Sequence, residues 1–475
     1  MKLVYERSTE DHRGLRLPKC DISYELDSKF KRNQTINLPE LSEVEVVRHY
    51  TALSKKTYSV DDGFYPLGSC TMKYNPKINE VTSSFEGFTD IHPYQDTKTV
   101  QGALKALELT KKYICTITGM DDASFQPSAG AHGEFTSLML IKKYHEDRND
   151  LKRNKIIIPD SAHGTNPASA TMCGFEVITL PSSDGIVSIE ELKKVLNDEV
   201  AGIMLTNPNT LGLYETNILE ITRLVHECGG LAYYDGANLN AVMGISRPGE
   251  MGFDCLHLNL HKTFSTPHGG GGQGSGAICC KNILSKYLPN PKITVENSEY
   301  KFVDGEQSIG KVKDFYGNFL VVLRALTYMI SLGNNGVLKT SQNAVLNANY
   351  VMNKLKGYYD VAYPQTCMHE FVLDLSRFKK ETGFTALDVA KRLIDYGIHP
   401  PTMYFPLIVP EALMIEPTET ESKETLDNFV EILIKIHDEA YNKTVDLYQA
   451  PLTTQYGRMD ELTAARHPIL KYGDK

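Results

Sequence analysis

A lysine in the middle of the chain lies between an apolar run and a run of glycines. In the stretch HLNLHKTFSTPHGGGG (257–272), alternate leucines lead to Lys262, which favours a buried strand ending near the lysine. A lysine shielded from water loses its proton readily and attacks carbonyl groups. Such lysines form Schiff bases with carbonyl substrates and with pyridoxal phosphate. A solvated surface lysine at a strand end is the alternative interpretation.

An aspartate ends a second strand-like run, LAYYDGA (231–237). An aspartate opposite the pyridine nitrogen of pyridoxal phosphate keeps that nitrogen protonated, so that the ring accepts electrons from the substrate. Asp235 alone is equally consistent with a capped turn. Asp235 and Lys262 together, each ending a strand of one sheet, favour a pyridoxal-phosphate site.

A phosphate needs a cradle of backbone N–H groups. The segment QPSAGAHGEF (126–135) places small residues before a helix that we predict to begin near Glu134. The free N–H groups and the dipole of a helix N-terminus bind phosphate, although an ordinary helix start with a turn at Ser128 is equally consistent. His163, in SAHGTNP, is a candidate for stacking on the cofactor ring or an ordinary loop residue.

Other interpretations of the lysine-containing stretch fail on spacing. His257 and His261 would bind zinc on a helix, but on a strand they lie about 13 Å apart, too far for one ion. The glycine run contains neither GxxxxGK[ST] nor GxGxxG, so it matches neither a P-loop nor a dinucleotide-binding fingerprint. A flexible linker is disfavoured because the strand-like GAICC follows at once.

The elements that must position these residues alternate between short β-branched runs and helices. Such alternation predicts βαβ units and a mostly parallel sheet. Sites in open parallel sheets lie outside the carboxyl ends of the strands. The residues that follow predicted strands are His163, 207–210, Asp235 and Lys262.

Composition and the pattern of apolar residues along the chain predict four regions. Residues 1–90 are polar and rich in turn residues, which is typical of an N-terminal arm. Residues 91–330 form the large α/β domain. Residues 331–450 begin with a long helix pair and form a smaller α+β domain with a strand in MHEFVLDLS, and 451–475 form a C-terminal arm.

Composition excludes several classes of protein. The chain has 475 residues and a net charge of −9, whereas a nucleic-acid partner would require a basic face. Its nine cysteines include no CxxC pair, and the N-terminus lacks the apolar core of a signal peptide. Reduced thiols and a cytoplasmic location are therefore expected. No apolar run approaches the ~20 residues that span a bilayer, so no membrane partner is expected.

Long motifs along nearly the whole chain resemble one family, the glycine cleavage system P-protein (glycine decarboxylase), and specifically subunit 2 of its two-subunit form. The most specific are PLGSCTMKYNP and NLHKTFSTPHGGGG. The other matching stretches are LPELSEVEVVRHYTALS, QPSAGAHGEF, DSAHGTNPASA, TNPNTLG, YYDGANLNA, MHEFVL, HPPTMYFPL and EPTETESKETLD.

The resemblance implies the α/β fold of fold type I pyridoxal-phosphate enzymes, with a mostly parallel central sheet and a smaller C-terminal α+β domain. It implies that Lys262 carries the cofactor as a Schiff base, that Asp235 faces the pyridine nitrogen and that His163 stacks on the ring. It implies no metal. The residues that it assigns to the phosphate or the ring oxygen are Ser128, Ala129, Gly130, Ala131, His261 and, more weakly, Thr210.

The implied activity is glycine decarboxylation. Glycine would bind as an aldimine of the cofactor, CO₂ would leave, and the aminomethyl group would pass to the lipoyl arm of H-protein. The implied partner is P-protein subunit 1, in a heterotetramer of two copies of each subunit. No arginine stands out as the glycine carboxylate ligand, so a residue of that partner is a candidate. Another fold type I decarboxylase or lyase, or a non-catalytic structural subunit, stays an alternative.

Two features stay open. Gln273 and Ala277 stand where the family commonly has proline, and we expect them to change loop stiffness more than chemistry. The GSCTMKYNP motif either closes over the site or faces a partner subunit. Within it, a structural role of the Cys70 thiol is favoured over a reactive one.

Overall fold

The computed structural model describes residues 2–34, 36–269 and 274–473. Within these residues the chain divides into two units. The larger unit comprises 64–457 and contains every candidate site residue. The smaller unit comprises the chain up to residue 63 and from 458 onward. The domain boundaries at 90, 330 and 450 stay predictions.

The strands are short, and many are rich in β-branched residues. Those of the described residues, numbered β1 to β15 along the chain, are Asp122–Ser124, Lys155–Pro159, Glu176–Leu180, Ser182–Ser183, Ile186–Val187, Val200–Thr206, Leu231–Asp235, Cys255–Asn259, Gly276–Cys280, Lys292–Glu296, Glu299–Val303, Asp360–Val361, Phe371–Asp374, Thr402–Met403 and Ala412–Ile415.

The α-helices are numbered in the same way. Over the described residues, α1 to α15 are Val4–Arg7, Glu43–Ser54, Lys77–Ser83, Glu86–Thr89, Gln101–Thr118, Gly130–Asp147, Thr165–Met172, Ile189–Val195, Ile218–Glu227, Asn282–Ser285, Phe319–Leu355, Ser376–Thr382, Ala386–Asp395, Lys423–Tyr441 and Glu461–Arg466. Short 3₁₀ turns cover Ser28–Phe30, Thr97–Thr99, Gly236–Ala241, Pro248–Glu250 and Leu447–Gln449.

The central sheet has seven strands in the order β1-β9-β8-β7-β6-β2-β3. The five strands from β8 to β3 are parallel, while β9 runs antiparallel to β8 and to β1. Every residue of β6, β7 and β8 is buried, as expected for parallel strands covered on both faces. Alternate residues of these strands enter two separate apolar cores, which include Tyr234 and Tyr233 respectively. The predicted mostly parallel sheet is confirmed.

The smaller sheet is antiparallel, in the order β12-β13-β15-β14. Its core includes residues of α13, α14 and the C-terminal part of α11. The helical run of α11 is broken once, at Gly333, whose φ of 60° lies in the left-handed region that favours glycine. This break confirms the predicted helix pair, which begins at Phe319, earlier than predicted. The strand in MHEFVLDLS is also confirmed, as the shorter β13.

The smaller unit contains α1, α2 and α15. Ser42 and Glu45 form a capping box at the start of α2. The rings of Tyr5 and Tyr472 stack with their centroids 4.6 Å apart and join the two ends of the chain. Among the described residues of both units, no helix is long and apolar enough to cross a membrane.

The two departures from the family pattern have different outcomes. Gln273, with the glycines at 270–272, lies outside the described residues. Ala277 lies inside β9, where it pairs with Leu258 of β8 and is fully buried. The expectation of an effect on loop stiffness is therefore wrong for Ala277: a proline there would remove an N–H group from the sheet, not stiffen a loop.

Candidate active site

The carboxyl ends of four parallel strands meet at a cavity of about 140 Å³. His163 follows β2, Thr210 follows β6, Asp235 is the last residue of β7, and Lys262 follows β8. All four residues line the cavity, together with Gly130 and Ala131 at the start of α6. The prediction that these residues gather at one edge of the sheet is confirmed.

Asp235 is buried beside β8. It accepts hydrogen bonds from Asn166 Nδ2 at 2.9 Å and from the backbone N–H of Ala237 at 3.0 Å. Burial raises the pKa of the Asp235 carboxyl, but the neighbouring His257 and these two hydrogen bonds outweigh it, so that the pKa lies below its usual value. Asp235 therefore keeps a negative charge at the inner wall of the cavity at neutral pH.

His257 was not among the predicted site residues, although it lines the cavity. Its Nε2 lies 3.5 Å from Asp235 Oδ1, and its Nδ1 is hydrogen-bonded to the hydroxyl of the fully buried Tyr233. The alternation of side chains along β7 and β8 could have indicated this contact. Asp235 is in register with His257 and lies two residues from Tyr233, so the three side chains share one face of the sheet. His257 is therefore placed to orient the carboxylate of Asp235.

Asn259 lies between His257, in β8, and His261, in the turn that follows β8. Asn259 Oδ1 accepts a hydrogen bond from His257 Nε2 at 3.0 Å, and Asn259 Nδ2 lies 3.4 Å from His261 Nε2. His261 Nδ1 accepts the backbone N–H of Ser275 at 3.2 Å. Burial, with the nearby His268 and Lys262, lowers the pKa of His261 to about 3, so its ring is neutral. His261 is not among the described residues that line the cavity, and its contact with a phosphate stays a prediction.

Glu134 is a second residue that the sequence did not single out. It accepts hydrogen bonds from the hydroxyls of Thr165 at 2.7 Å and Ser169 at 2.8 Å, and so joins α6 to α7. Ligand atoms of Glu134, Asp235 and His257 lie within 4.8 Å of one another, the spacing of a possible cation site. The hydrogen bonds that Glu134 and Asp235 already accept explain this cluster without a cation.

Helix α6 begins at Gly130, not near Glu134, because the N–H of Gly133 already bonds to the carbonyl of Ala129 at 2.9 Å. No side chain caps this N-terminus. Gly130 and Ala131 of this first turn line the cavity. Free N–H groups at a helix N-terminus are of the kind that binds anions, and their contact with a phosphate stays a prediction. Ser128 and Ala129 lie just before the helix and do not line the cavity; Ser128 instead donates its N–H to His132 Nδ1 at 3.2 Å.

Replacement of Gly130 by alanine tests this helix start. A Cβ atom at residue 130 would lie 2.4 Å from Nδ2 of Asn259, so the amide must shift. We expect G130A to lose about 1–3 kcal/mol of unfolding free energy and to bind pyridoxal phosphate more weakly. Urea unfolding and cofactor titration measure the two effects. Gly102, in the first turn of α5, has no heavy atom within 4 Å of such a Cβ. G102A should be neutral or slightly stabilising, and an equal loss in both variants would contradict the explanation.

Lys262 lies in the turn after β8. Its Nζ donates to the carbonyl of Ser69 at 2.9 Å. Ser69 belongs to the GSCTMKYNP motif, which thus reaches the cavity wall. This contact agrees with a motif that closes over the site, and its contact with a partner subunit stays a prediction.

His163 and Thr210 both line the cavity, but they differ in their exposure to solvent. His163 is exposed, its Nδ1 accepts the backbone N–H of Thr165 at 3.2 Å, and its ring lies edge-on to Phe405. Thr210 is buried and donates its hydroxyl to the carbonyl of Ser161 at 2.5 Å. Stacking by His163 and a ring-oxygen contact by Thr210 stay predictions.

Cys70 is half-buried next to the site. Its Sγ lies 3.4 Å from His268 Nε2. Burial raises the pKa of the Cys70 thiol, although the charge of Lys262 acts in the opposite direction. The thiol is therefore protonated at neutral pH, which favours the structural role.

Lys73 anchors the same motif in the protein interior. Its Nζ contacts Glu419 at 2.8 Å, Asn240 Oδ1 at 2.9 Å and the hydroxyl of Tyr328 at 3.0 Å. Burial lowers the pKa of the Lys73 ammonium, but the charge of Glu419 outweighs it and the pKa is raised. Lys73 is therefore a structural cation.

Removal of this cation should destabilise the protein strongly. Lys73→Met leaves the carboxylate of Glu419 buried without its cation, and we expect a loss of about 3–5 kcal/mol in unfolding free energy. Urea unfolding measures the loss. The same substitution at the exposed Lys77 should change stability by less than about 1 kcal/mol. Similar losses at both positions would contradict the structural role of Lys73.

Two family models match most of the chain. The family model described as "Glycine cleavage system P-protein" matches residues 20–301, and the one described as "Glycine dehydrogenase, C-terminal domain" matches 340–453. The chain belongs to the glycine cleavage system P-protein family. The resemblance drawn from the sequence motifs is thereby confirmed.

Relatives match this P-protein family member over almost their whole length. The "probable glycine dehydrogenase (decarboxylating) subunit 2" of Caldanaerobacter subterraneus subsp. tengcongensis is 59% identical over 99% of this chain and 98% of its own. The proteins of the same name from Treponema denticola and Thermotoga maritima are 58% and 53% identical, over 99% of this chain and 98% and 99% of theirs.

Solved structures agree on the fold. A crystal structure of inhibitor-bound glycine decarboxylase (P-protein) has a TM-score of 0.73 at 20% identity, covering 86% of this chain and 93% of that one. The cysteine desulfurase of Thermococcus onnurineus NA1 has a TM-score of 0.61 at 14% identity, covering 80% and 95%. The predicted fold class, that of fold type I pyridoxal-phosphate enzymes, is confirmed.

Proposed function

We propose that this chain is the pyridoxal-phosphate-binding subunit 2 of a two-subunit glycine decarboxylase of the glycine cleavage system. The observation that carries the proposal is the convergence of Lys262 and Asp235 on one cavity from the ends of adjacent parallel strands. Family membership and the names of the full-length relatives support the substrate, glycine.

The residues around the cavity fit the cofactor. Lys262 supplies the amine that bonds it covalently, and Asp235 supplies a buried negative charge for the pyridine nitrogen. The uncapped first turn of α6 supplies N–H groups for the phosphate, and His163 is placed at the cavity wall where it can cover the ring. When bound, pyridoxal phosphate supplies an electron sink for the electron pair that decarboxylation leaves on the α-carbon.

Two side chains, Asp235 and Lys262, would hold and transfer protons at the bound cofactor. Asp235, whose pKa is lowered by His257, Asn166 and Ala237, would hold a proton on the pyridine nitrogen of the bound cofactor. Lys262 Nζ, when it is not bonded to the cofactor, would carry a proton to or from the substrate. The Ser69 carbonyl, which accepts a hydrogen bond from Nζ, orients it.

The glycine carboxylate requires a cation or several N–H donors. No arginine is found among the described residues that line the cavity. We propose that subunit 1 contributes this contact, in a heterotetramer of two copies of each subunit, and that lipoylated H-protein receives the aminomethyl group. The cytoplasmic location stays a prediction.

Reconstitution tests the proposal. Co-purified with its candidate subunit 1 and pyridoxal phosphate, the chain should exchange labelled bicarbonate into the carboxyl group of glycine, with a strong dependence on lipoylated H-protein. H-protein lacking the lipoyl group is the matched control. Exchange independent of the lipoyl group would indicate another decarboxylase, and the absence of any cofactor absorbance band would indicate a structural subunit.

A further inference from the structure

Two buried carboxyl groups lie side by side next to the site. Glu370 precedes β13 and Glu416 follows β15, and because Phe371 pairs with Ile415 the two glutamates are neighbours at one end of the smaller sheet. Both are at most 1% exposed. Their oxygens and a ring nitrogen of His369 lie within 4.8 Å of one another. None of these residues has a role in the function proposed above.

The hydrogen bonds of this carboxyl pair (Glu370 and Glu416) are incomplete. Glu370 Oε2 accepts the backbone N–H of Ser69 at 2.7 Å, and its Oε1 accepts a long hydrogen bond from Asn238 Nδ2 at 3.5 Å. Glu416 Oε1 accepts the hydroxyl of Thr71 at 2.5 Å. Glu416 Oε2 and both ring nitrogens of His369 are buried without a partner among the described residues. Burial lowers the pKa of His369 to about 3, so its ring is neutral and has one nitrogen that accepts. A proton on Glu416 Oε2 would make that oxygen a donor towards His369 or Glu370.

One residue links the carboxyl pair to the lysine. Ser69 donates its N–H to Glu370, and its carbonyl accepts from Lys262 Nζ. Its φ of 64° lies in the left-handed region, which is uncommon for a residue other than glycine. Such strain persists where the surroundings over-determine it, and here both backbone groups of Ser69 are held.

Burial favours a bound proton on the pair, against the charge of Lys262. Burial raises the pKa of Glu370 to about 7, against the hydrogen bond from Ser69 and the charge of Lys262. Burial and the charge of Glu370 raise the pKa of Glu416 well above its usual value, again against Lys262. The titratable groups that face the pair are Lys262, His369, Cys70 and Glu419 with its partner Lys73.

We propose that the carboxyl pair always holds one proton near neutral pH and binds or releases a second one according to the charge of Lys262. A charged Lys262 favours the singly protonated, negatively charged pair. A neutral Lys262 favours the fully protonated pair, so that the proton that leaves the amine is matched by one bound at the carboxyls. Glu370 and Glu416 are then positioning residues that keep the charge of the site constant. Their role in turnover rests on the proposed function, whereas their titration does not.

The titration can be measured in the cofactor-free protein. The infrared band of protonated carboxyl groups should change near neutral pH by one carboxyl. Glu416→Gln alone should keep this change, because burial still raises the pKa of Glu370 and the neutral amide replaces a carboxyl that holds its proton throughout. The double variant Glu370→Gln, Glu416→Gln should remove the change, because it leaves no carboxyl in the pair. Lys262→Met should move the change to higher pH by about one unit. Glu421→Gln, in the same loop as Glu416, is the matched control and should leave it in place.

Several results would overturn the proposal. The neutral-pH change could persist in the double variant, it could be lost in Glu416→Gln alone, or Lys262→Met could leave its midpoint unmoved. A stoichiometric metal ion, lost in either variant, would show that His369, Glu370 and Glu416 bind a cation instead. Thermal unfolding identifies any of the near-isosteric glutamine variants that does not fold.

The holoenzyme provides an independent readout. In the double variant Glu370→Gln, Glu416→Gln, the pH profiles of glycine–bicarbonate exchange and of the cofactor absorbance band should shift relative to wild type and to Glu421→Gln. Unshifted profiles in a folded variant would contradict the link to Lys262. If wild type shows no exchange while the infrared titration behaves as expected, the proposed function fails and the carboxyl pair stands.

Discussion

Replacement of Lys262 by alanine is expected to abolish the visible absorbance of the lysine-bound cofactor and to lower glycine–bicarbonate exchange by at least about 10³-fold. One substitution removes both the group that bonds the cofactor and a proton carrier, and general acid–base groups alone contribute about 10²–10⁴-fold. The fold should survive, because Lys262 follows β8 in a turn and its Nζ makes one hydrogen bond, to Ser69. Absorbance spectra and the exchange assay measure the two losses.

A second lysine in the same sheet provides the control. Lys281 directly follows β9, the neighbour of β8, and its Nζ donates to the carbonyl of Gly119 at 3.0 Å. Because β9 runs antiparallel to β8, Lys281 lies at the opposite edge of the sheet. Lys281→Ala should keep the absorbance band and nearly full exchange. A lysine-bound band retained in the Lys262 variant would disprove the assignment.

Replacement of Asp235 by alanine is expected to weaken cofactor binding and to lower exchange by about 10²–10³-fold, the usual loss when one preorganised electrostatic group is removed. The substitution removes a buried negative charge and leaves Asn166 Nδ2 without its acceptor. Asp235→Asn keeps the shape of the side chain and removes the charge. A similar loss in both variants would identify the charge as the cause, and normal exchange in either would contradict the role.

A buried aspartate at the other end of the same strands is the matched control. Asp254 precedes β8, accepts the backbone N–H of Ala232 at 2.7 Å and pairs with His226 at 2.7 Å. Asp254→Asn should lower stability without changing the cofactor absorbance. If it reduced exchange as much as Asp235→Asn, the effect of Asp235 would be structural.

Much of the site was predictable because it follows local rules. Short apolar runs with helices between them require a parallel sheet, and the carboxyl ends of parallel strands share one edge. Asp235 and Lys262 each come directly after such a run, so their strand positions alone placed them at that edge. The motif PLGSCTMKYNP was recognisable, but its distance along the chain from Lys262 concealed the contact of Ser69 with Nζ.

The sequence by itself determined the fold class, the family and the edge of the sheet at which the chemistry lies, because strand periodicity and long motifs are local properties of the chain. The tertiary structure alone decided where α6 begins, that His257 supports Asp235, and that Glu370 and Glu416 meet beside the Ser69 that binds Lys262. These facts depend on register between strands and on burial. Register brings residues from distant segments together, and burial sets which of their charges persist.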